Sequence, residues 1–315
     1  MERIVLAAPR GFCAGVAYAI DIVNRAIETF GTPLFVRHAI VHNEWVVRSF
    51  EARGVVFVED LAEVPEGQPV VFSAHGVSPA VRAEARQREL KVIDATCPLV
   101  DKVHREAREW AHRDHTILYI GHQGHVEAEG TMGEAPERMV LVDGLEAART
   151  VAVPNPHKLT VLTQTTLSVD EVNEIVDVLV ERFPALKTPK KEDICYATTN
   201  RQEAVKELAQ QCDLIIVVGS TTSSNTNRLR EVAESCGAAA HLVSTPEELR
   251  EEWLDAHRVV GVTSGASTPE VLVDDVLAAL MRGRPVPIQT LKTAEERIHF
   301  RPPRELVESA ARSDD

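Results

Sequence analysis

At about 150 residues per domain, a chain of 315 residues holds two or three units. Its 34 Lys and Arg against 48 Asp and Glu leave a formal charge of −14. That argues against a nucleic-acid surface, which needs clustered basic charge, and it means that any anionic ligand is held by local donors rather than by the overall field. The start, Met1-Glu-Arg and then the short apolar run Ile4–Ala8 stopped by Pro9, is too short and too acidic for a secretory signal. No apolar run approaches the ~20 residues of a membrane span, so a soluble, cytoplasmic protein is expected.

Along the chain, strand-like runs alternate with amphipathic stretches. "RIVLAA" precedes the helical "VAYAIDIVNRAIETF", and "PVVFSA" precedes "SPAVRAEARQREL". "TILYIG", "KLTVLTQT", "DLIIVVGS" and "RVVGVTSG" each lead into a turn and then a helix. Apolar β-branched runs followed by a 3.6-residue period predict βα units and mainly parallel sheets. Ser168-Val-Asp-Glu171, Thr199-Asn-Arg-Gln202 and Thr245-Pro-Glu-Glu248 read as capping boxes that open helices. After Arg282, the prolines at 285, 287, 302 and 303 suggest a tail packed across the body.

The cysteines stand at 13, 97, 195, 212 and 236, an odd count that does not suggest a disulfide framework. Three of them occupy the same kind of place, between a strand-like run and a helix: "GFCAGVAYAI", "DATCPLVDKVHREA" and "DICYATTNRQEAV". They are spaced 84 and 98 residues apart, each interval long enough for one α/β unit. Three similar units, each offering a thiol at a strand's C-terminal end, suggest pseudo-threefold packing about a shared centre, since ligands in α/β folds gather at those ends. A helix N-terminus favours the thiolate, and Gly11 and Gly15 let the backbone pass close to a bulky group. Three convergent thiolates suit zinc with an open fourth position or an iron–sulfur cluster with one iron lacking a protein ligand. Three unrelated core thiols are the bland alternative. Cys212, at a helix end, and Cys236, beside Gly237, read as small hydrophobes of the core.

Polar loops follow several of the strands. "VHNEW" carries His42, "SAHGVS" carries His75, and "GHQGHVEAEG" carries His122, His125 and Glu127. One loop histidine is ordinarily a solvated or capping side chain. Three such loops with glycine or asparagine point instead to an anion, because imidazolium and loop N–H groups suit phosphate oxygens at ~1.5–3 kcal/mol per charge-assisted bond. His-x-x-His-x-Glu also has a zinc reading, but Gly121 and Gly124 interrupt its helical continuity. "GSTTSSNTNRL" with Ser223, Ser224 and Asn225, "TSGASTPE" with Ser267 and "TQTTLS" with Thr165 and Thr166 add hydroxyl and amide donors near helix starts. Glu127 stands among them as a candidate proton donor.

In order along the chain, "PRGFCAGV", "IVHN", "FSAHGVS", "DATCPLV", "GHQGHVEAEGTMG", "TQTTLSVD", "DICYATTNRQEAV", "SSNTNRL" and "TSGAS" resemble the LytB family of 4-hydroxy-3-methylbut-2-enyl diphosphate reductases, the last enzymes of the non-mevalonate isoprenoid pathway. The likeness spans nearly the whole chain. It implies an α/β trefoil of three similar domains around a [4Fe-4S] cluster held by Cys13, Cys97 and Cys195, with an open apical iron for the substrate hydroxyl. It implies that the substrate diphosphate lies among His42, His75, His125, Ser223, Ser224, Asn225 and Ser267. Thr165 would hydrogen-bond near the substrate oxygen, and Glu127 would deliver protons that help water leave. Single electrons would come from a ferredoxin or flavodoxin, with NADPH upstream, and the products would be isopentenyl and dimethylallyl diphosphate. The expected domains are 14–96, with Cys13 at its opening, then 97–192, then 1–13 with 193–281, followed by the tail 282–315. Two departures stand out: Ala17-Tyr18 where the family often has an acidic–basic pair, and Val126 where it usually has proline. Two rivals remain at this point, a zinc hydrolase built on the same thiols or on His-x-x-His-x-Glu, and a non-enzymatic cluster-based redox sensor. The sensor would leave the histidine and serine loops without a ligand.

Overall fold

A computed structural model describes residues 1–188, 193–283, 285–303 and 306. Its strands are β1 (Arg3–Ala8), β2 (Leu34–Arg37), β3 (Val55–Val58), β4 (Pro69–Phe72), β5 (Lys91–Asp94), β6 (Thr116–Ile120), β7 (Met139–Val142), β8 (Leu159–Thr163), β9 (Leu214–Val218), β10 (Ala239–Val243), β11 (Val259–Ser264) and β12 (Ile288–Lys292). They form sheets of order β10-β9-β11-β1-β12, β3-β2-β4-β5 and β7-β6-β8, and every pairing is parallel. The α/β expectation therefore holds. Parallel strands need crossover helices, which cover both faces of a sheet, and this explains why runs such as "LIIVV" are apolar at every position.

The chain divides into two compact units. The first comprises Met1–Ala14, His42–Val46 and Cys195–Ile298, and contains the five-stranded sheet. Because side chains alternate along a strand, β1 sends Ile4 and Leu6 to one face and Val5 and Ala7 to the other. The first face packs with Leu272, Val273, Val276 and Leu277 of helix Glu270–Met281, the second with Ala204, Val205 and Leu208 of helix Tyr196–Ala209. β9 splits in the same way, Leu214, Ile216 and Val218 against Ile215 and Val217. Truncating a wholly buried leucine or isoleucine such as Leu214 or Ile4 to alanine costs about 2–5 kcal/mol.

The second unit comprises Gly15–Val41, Val47–Ile194 and His299–Asp315, and contains the other two sheets. Here β6 and β8 repeat the alternation. Leu118, Ile120, Leu159 and Val161 pack with Ile175 and Leu179, while Ile117, Tyr119 and Leu162 pack with Val103, Ala107 and Ala128. The expected segments 14–96 and 97–192 each carry one sheet, although 189–192 lie outside the described residues. Tyr18, one of the departures, meets Phe300 edge-on with ring centroids 6.0 Å apart.

Three local readings need correction. The expected tail after Arg282 first forms β12, which pairs with β1 from Ile4↔Ile288 to Ala8↔Lys292; the rest of the tail lies partly outside the described residues. Thr199 does not open a helix: the helix begins at Tyr196, capped by Cys195. Thr245 precedes only a 3-10 turn, Pro246–Glu248, and gives it no side-chain cap. Ser168 does cap helix Val169–Arg182, its hydroxyl accepting the Glu171 N–H at 3.4 Å.

Candidate active site

The recurrent cysteine placement is a helix-start placement. Cys13 immediately precedes helix Ala14–Phe30, and Cys97 and Cys195 are the N-cap residues of Pro98–His112 and Tyr196–Ala209. Pro98 sits at the first helical position, where its missing N–H costs nothing. None of the five cysteines is disulfide-linked.

In the first unit, Cys195 Sγ accepts the Thr198 N–H at 3.4 Å and lies 3.1 Å from Thr198 Oγ1. Burial pushes its thiol up to about 11, and the neighbouring Cys13 adds to the rise. Two distant stretches thus bring their thiols within electrostatic reach. Gly11 adopts φ +68°, which a side-chain-bearing residue rarely adopts, and donates its N–H to Ser264 Oγ at 2.8 Å. Cys13 N–H donates to Ala266 O at 3.1 Å, and Ala266 N–H donates to Asn225 Oδ1 at 2.9 Å. Asn225 Nδ2 reaches Thr198 Oγ1 at 3.3 Å. Ser267 Oγ donates to His42 O at 3.0 Å and lies 3.4 Å from Ser223 Oγ. Ser223 caps the helix Ser224–Ser235 through the Thr226 N–H. Cys13, Cys195, His42, Ser223, Ser224, Asn225 and Ser267 therefore belong to one hydrogen-bonded neighbourhood, with Ser224 as the first helical residue.

The second unit gathers the other expected residues. Cys97 N–H donates to Ala74 O at 3.0 Å, which ties the thiol's cap to the loop carrying His75. His75 meets His125 edge-on at 6.2 Å between ring centroids, and Ser73 Oγ lies 3.2 Å from His75 Nδ1. His125 caps helix Val126–Met132: its Nδ1 accepts the Glu127 N–H at 3.1 Å, which leaves the ring proton on Nε2. Glu127 is buried, with Oε1 accepting Thr165 N–H at 2.6 Å and Oε2 accepting Thr165 Oγ1–H at 3.0 Å. Burial raises its pKa; the Thr165 bonds and the charge of His104 oppose the rise without cancelling it. Both oxygens of this carboxyl are thus fixed by one threonine. Val126 occupies the first helical position, the place where proline is well tolerated.

Sequence reasoning missed several supporting groups. Thr198 lies three residues after Cys195, the spacing of a cap and its N3 partner, and that spacing was the available signal. Asp193 accepts Lys102 Nζ at 2.8 Å and Thr163 N–H at 3.2 Å. His104, buried on the helix that Cys97 caps, meets Glu134 at 2.7 Å, and Arg108 also reaches Glu134 at 2.8 Å. Burial raises the Glu134 pKa, but the hydrogen bonds of His104 and Arg108 outweigh it and hold the carboxyl below its ordinary value. Gly76 has φ +77°, and a Cβ there would stand 3.0 Å from His104 Nε2, so the His75 loop can run close to that imidazole only as glycine. Cys236 is a correction: it is exposed, whereas Cys212 is buried as expected.

The donor set suits a soft, thiophilic group. In the first unit, two half-buried thiols, Cys13 and Cys195, stand at helix starts, where ligation of a thiol displaces its proton. Among the described residues of either unit, no group of three or more His, Cys, Asp or Glu side chains gathers closely enough to hold a single metal ion. No described helix is long and apolar enough to cross a membrane.

Parallel sheets with helices between their strands define an α/β protein, one that carries cysteines at helix starts and a buried carboxyl on a hydroxyl partner. The chain belongs to the LytB protein family, whose model matches residues 4–281. It is 55% identical over 306 residues to the 4-hydroxy-3-methylbut-2-enyl diphosphate reductase of Neisseria meningitidis serogroup C (strain 053442), covering 97% of this chain and 95% of that one. It is 56% identical over 306 residues to the protein of the same name from Nocardia farcinica (strain IFM 10152), covering 97% and 91%. The solved E-1-hydroxy-2-methyl-but-2-enyl-4-diphosphate reductase of Plasmodium falciparum matches with a TM-score of 0.96 and 37% identity, over 100% of this chain and 99% of that one. A second solved structure, of an (E)-4-hydroxy-3-methyl-but-2-enyl diphosphate reductase described as the terminal enzyme of the non-mevalonate pathway, matches with a TM-score of 0.63 and 29% identity, over 90% and 100%.

Proposed function

We propose that this chain is the oxidoreductase that removes the hydroxyl of (E)-4-hydroxy-3-methylbut-2-enyl diphosphate, the last step of the non-mevalonate isoprenoid pathway. One C–O bond breaks and one C–H bond forms. Two electrons, delivered singly by a ferredoxin or flavodoxin, and two protons are consumed, and water leaves with isopentenyl or dimethylallyl diphosphate as product. The observation that carries the reading is Glu127, a buried carboxyl with a raised pKa and both oxygens on Thr165. It belongs to a chain more than half identical to reductases of that name along nearly its whole length.

Cys13, Cys97 and Cys195 would hold a [4Fe-4S] cluster, one thiol near the opening of each of the domains 14–96, 97–192 and 1–13 with 193–281. When bound, such a group supplies single electrons and a Lewis acid, which side chains do not. Every other contribution comes from the chain. His42, His75, His125, Ser223, Ser224, Asn225 and Ser267 bind the diphosphate, with His125 donating from Nε2. Each charge-assisted bond is worth about 1.5–3 kcal/mol, so a few of them anchor the polyanion on a protein whose net charge repels it. That remote anchoring orients the reacting carbon. Thr165 aligns the substrate oxygen and holds Glu127, and Glu127 gives that oxygen the proton with which it departs as water. The reaction runs in the cytoplasm.

The test is an anaerobic turnover assay with a one-electron donor on protein whose metals have been quantified. Iron with sulfide and formation of both five-carbon diphosphates support the reading. Zinc in place of iron, or no consumption of the allylic diphosphate by iron-loaded protein, overturns it.

A further inference from the structure

Arg201 is wholly buried, yet neither the proposed ligands nor the substrate groups include it. It lies in the helix capped by Cys195, less than two turns from the thiol. Its Nη2 donates to Gly11 O at 2.8 Å, two residues before Cys13. Its Nη1 donates to Ala197 O at 2.8 Å, two residues after Cys195. The outer edge of the guanidinium meets Glu296, with Nη1 to Oε1 at 2.9 Å and Nη2 to Oε2 at 3.4 Å, and Asn200 Nδ2 adds a bond to Oε1 at 3.1 Å. Glu296 stands in the stretch after β12, which Thr293 fastens to Ala8 O through its N–H at 2.9 Å.

A buried ion pair is an expensive way to gain stability, because desolvation offsets most of the attraction. What it does supply is geometry. The guanidinium is planar, with donors fixed in a fork, so it can join a carboxylate and two carbonyls in one arrangement that a flexible ammonium cannot reproduce. Two of those partners flank the thiols of Cys13 and Cys195.

We propose that Arg201 and Glu296 are positioning residues that clamp the Cys13 loop to the Cys195 helix and so hold the two thiols in their ligating arrangement. This rests on the reading of those thiols as cofactor ligands. The clamp itself belongs to the protein alone, so it operates before any cofactor arrives. Glu296 makes the segment beyond the last strand part of the site: without that carboxylate, the guanidinium would be left buried against carbonyls only.

The test uses the full chain, freed of metal and reduced, with iodoacetamide as probe and peptide-resolved mass spectrometry to follow each cysteine. R201K keeps the charge and loses the fork; E296Q keeps the arginine and loses the counter-charge. R201K retains both charges, so a change in its rate reports geometry rather than a lost charge; for E296Q the rates are followed against pH, which separates easier ionisation of a thiol from easier opening. Exposed Cys236 calibrates the reagent, and buried Cys212, in the same unit, reports general loosening. We expect Cys13 and Cys195 to react roughly fivefold faster in both variants as local opening becomes easier, with Cys212 and Cys236 unchanged. Reconstituted variants should also lose iron sooner in air than the parent. Rates at Cys13 and Cys195 within twofold of the parent in both variants overturn the clamp, as does a parallel rise at Cys212. If the parent takes up no iron while the thiol rates still respond, the ligand reading fails and the clamp stands. If R201K does not fold, E296Q decides the matter alone.

Discussion

The two units solve different problems with their polar residues. In the first, the neighbourhood of Cys13 and Cys195 is held by hydroxyls, an amide and backbone groups: Thr198, Ser223, Asn225, Ser264 and Ser267, none of which titrates near neutral pH. The buried Arg201, paired with Glu296, bonds to the backbone carbonyls of Gly11 and Ala197. In the second, burial and pairing shift the pKa values of Glu127, Tyr119 and Glu134 within one folded body. Burial pushes Tyr119 well above its usual value, and the charge of Glu127 adds to that. Neutral groups hold a shape at any pH, whereas buried titratable groups store and release protons. Under the proposed function, the contrast would give geometry to one unit and proton handling to the other.

The largest effect that tests this division is loss of cofactor. Cys13→Ala, Cys97→Ala and Cys195→Ala should each take up little iron on anaerobic reconstitution, while Cys212→Ala and Cys236→Ala load like the parent. Equal iron in all five would abolish the ligand assignment.

Next in size is Glu127→Gln, for which turnover should fall by about 10²–10⁴-fold, the usual worth of a general acid. Iron content should not change. In the parent, the group must be protonated to act, so turnover declines as pH rises through its raised pKa. The sign for stability is the same: folding binds this proton more tightly than the unfolded chain does, so stability present at low pH is lost as pH rises through the folded value. Thermal melts across pH should therefore be flatter for the glutamine variant, and a steeper dependence would contradict the raised pKa.

His104→Ala removes a partner from an ion pair whose side chains are each 2% exposed. It should cost about 3–5 kcal/mol in urea titrations, less to the extent that Arg108 still pairs with Glu134. A loss below 1 kcal/mol would place the pair outside the framework that supports Glu127 and the His75 loop.

The smallest effect sharpens the comparison. Ser223→Ala and Ser168→Ala each remove an N-cap, worth about 1 kcal/mol. Only Ser223→Ala should also raise KM for the diphosphate, with kcat nearly unchanged. The same KM in both variants would remove Ser223 from the substrate site.

Much of this was legible in the residues. The strand runs from Arg3, Pro69, Thr116, Leu159, Leu214 and Val259 were readable because buried parallel strands must be apolar on both faces. The shared placement of three cysteines before helices was readable for a local reason, since a helix start is a short-range pattern. Cap identity was less so: Thr199 carries the usual capping chemistry, yet Cys195 took the role because its sulfur faces the Thr198 N–H. β12 was missed because prolines flank it and its residues are mostly exposed; only pairing with β1 makes it a strand. Arg201, Glu296, His104 and Glu134 carry no local signal, because a charged residue on a helix reads as solvated surface until the fold buries it.

The alternation of apolar runs and amphipathic stretches was enough by itself to mark many of the strands and helices, the parallel α/β class and the strand-to-helix turns that carry the cysteines. Those depend on periodicity and on helix-end chemistry, which act over a few residues. Only the tertiary structure decided which distant loops share hydrogen bonds, that burial rather than a neighbouring charge raises the pKa of Glu127, and that an arginine and a glutamate far apart in the chain close on Gly11 and Ala197. Desolvation and pairing depend on what surrounds a group in space, and no short stretch of residues encodes its own surroundings.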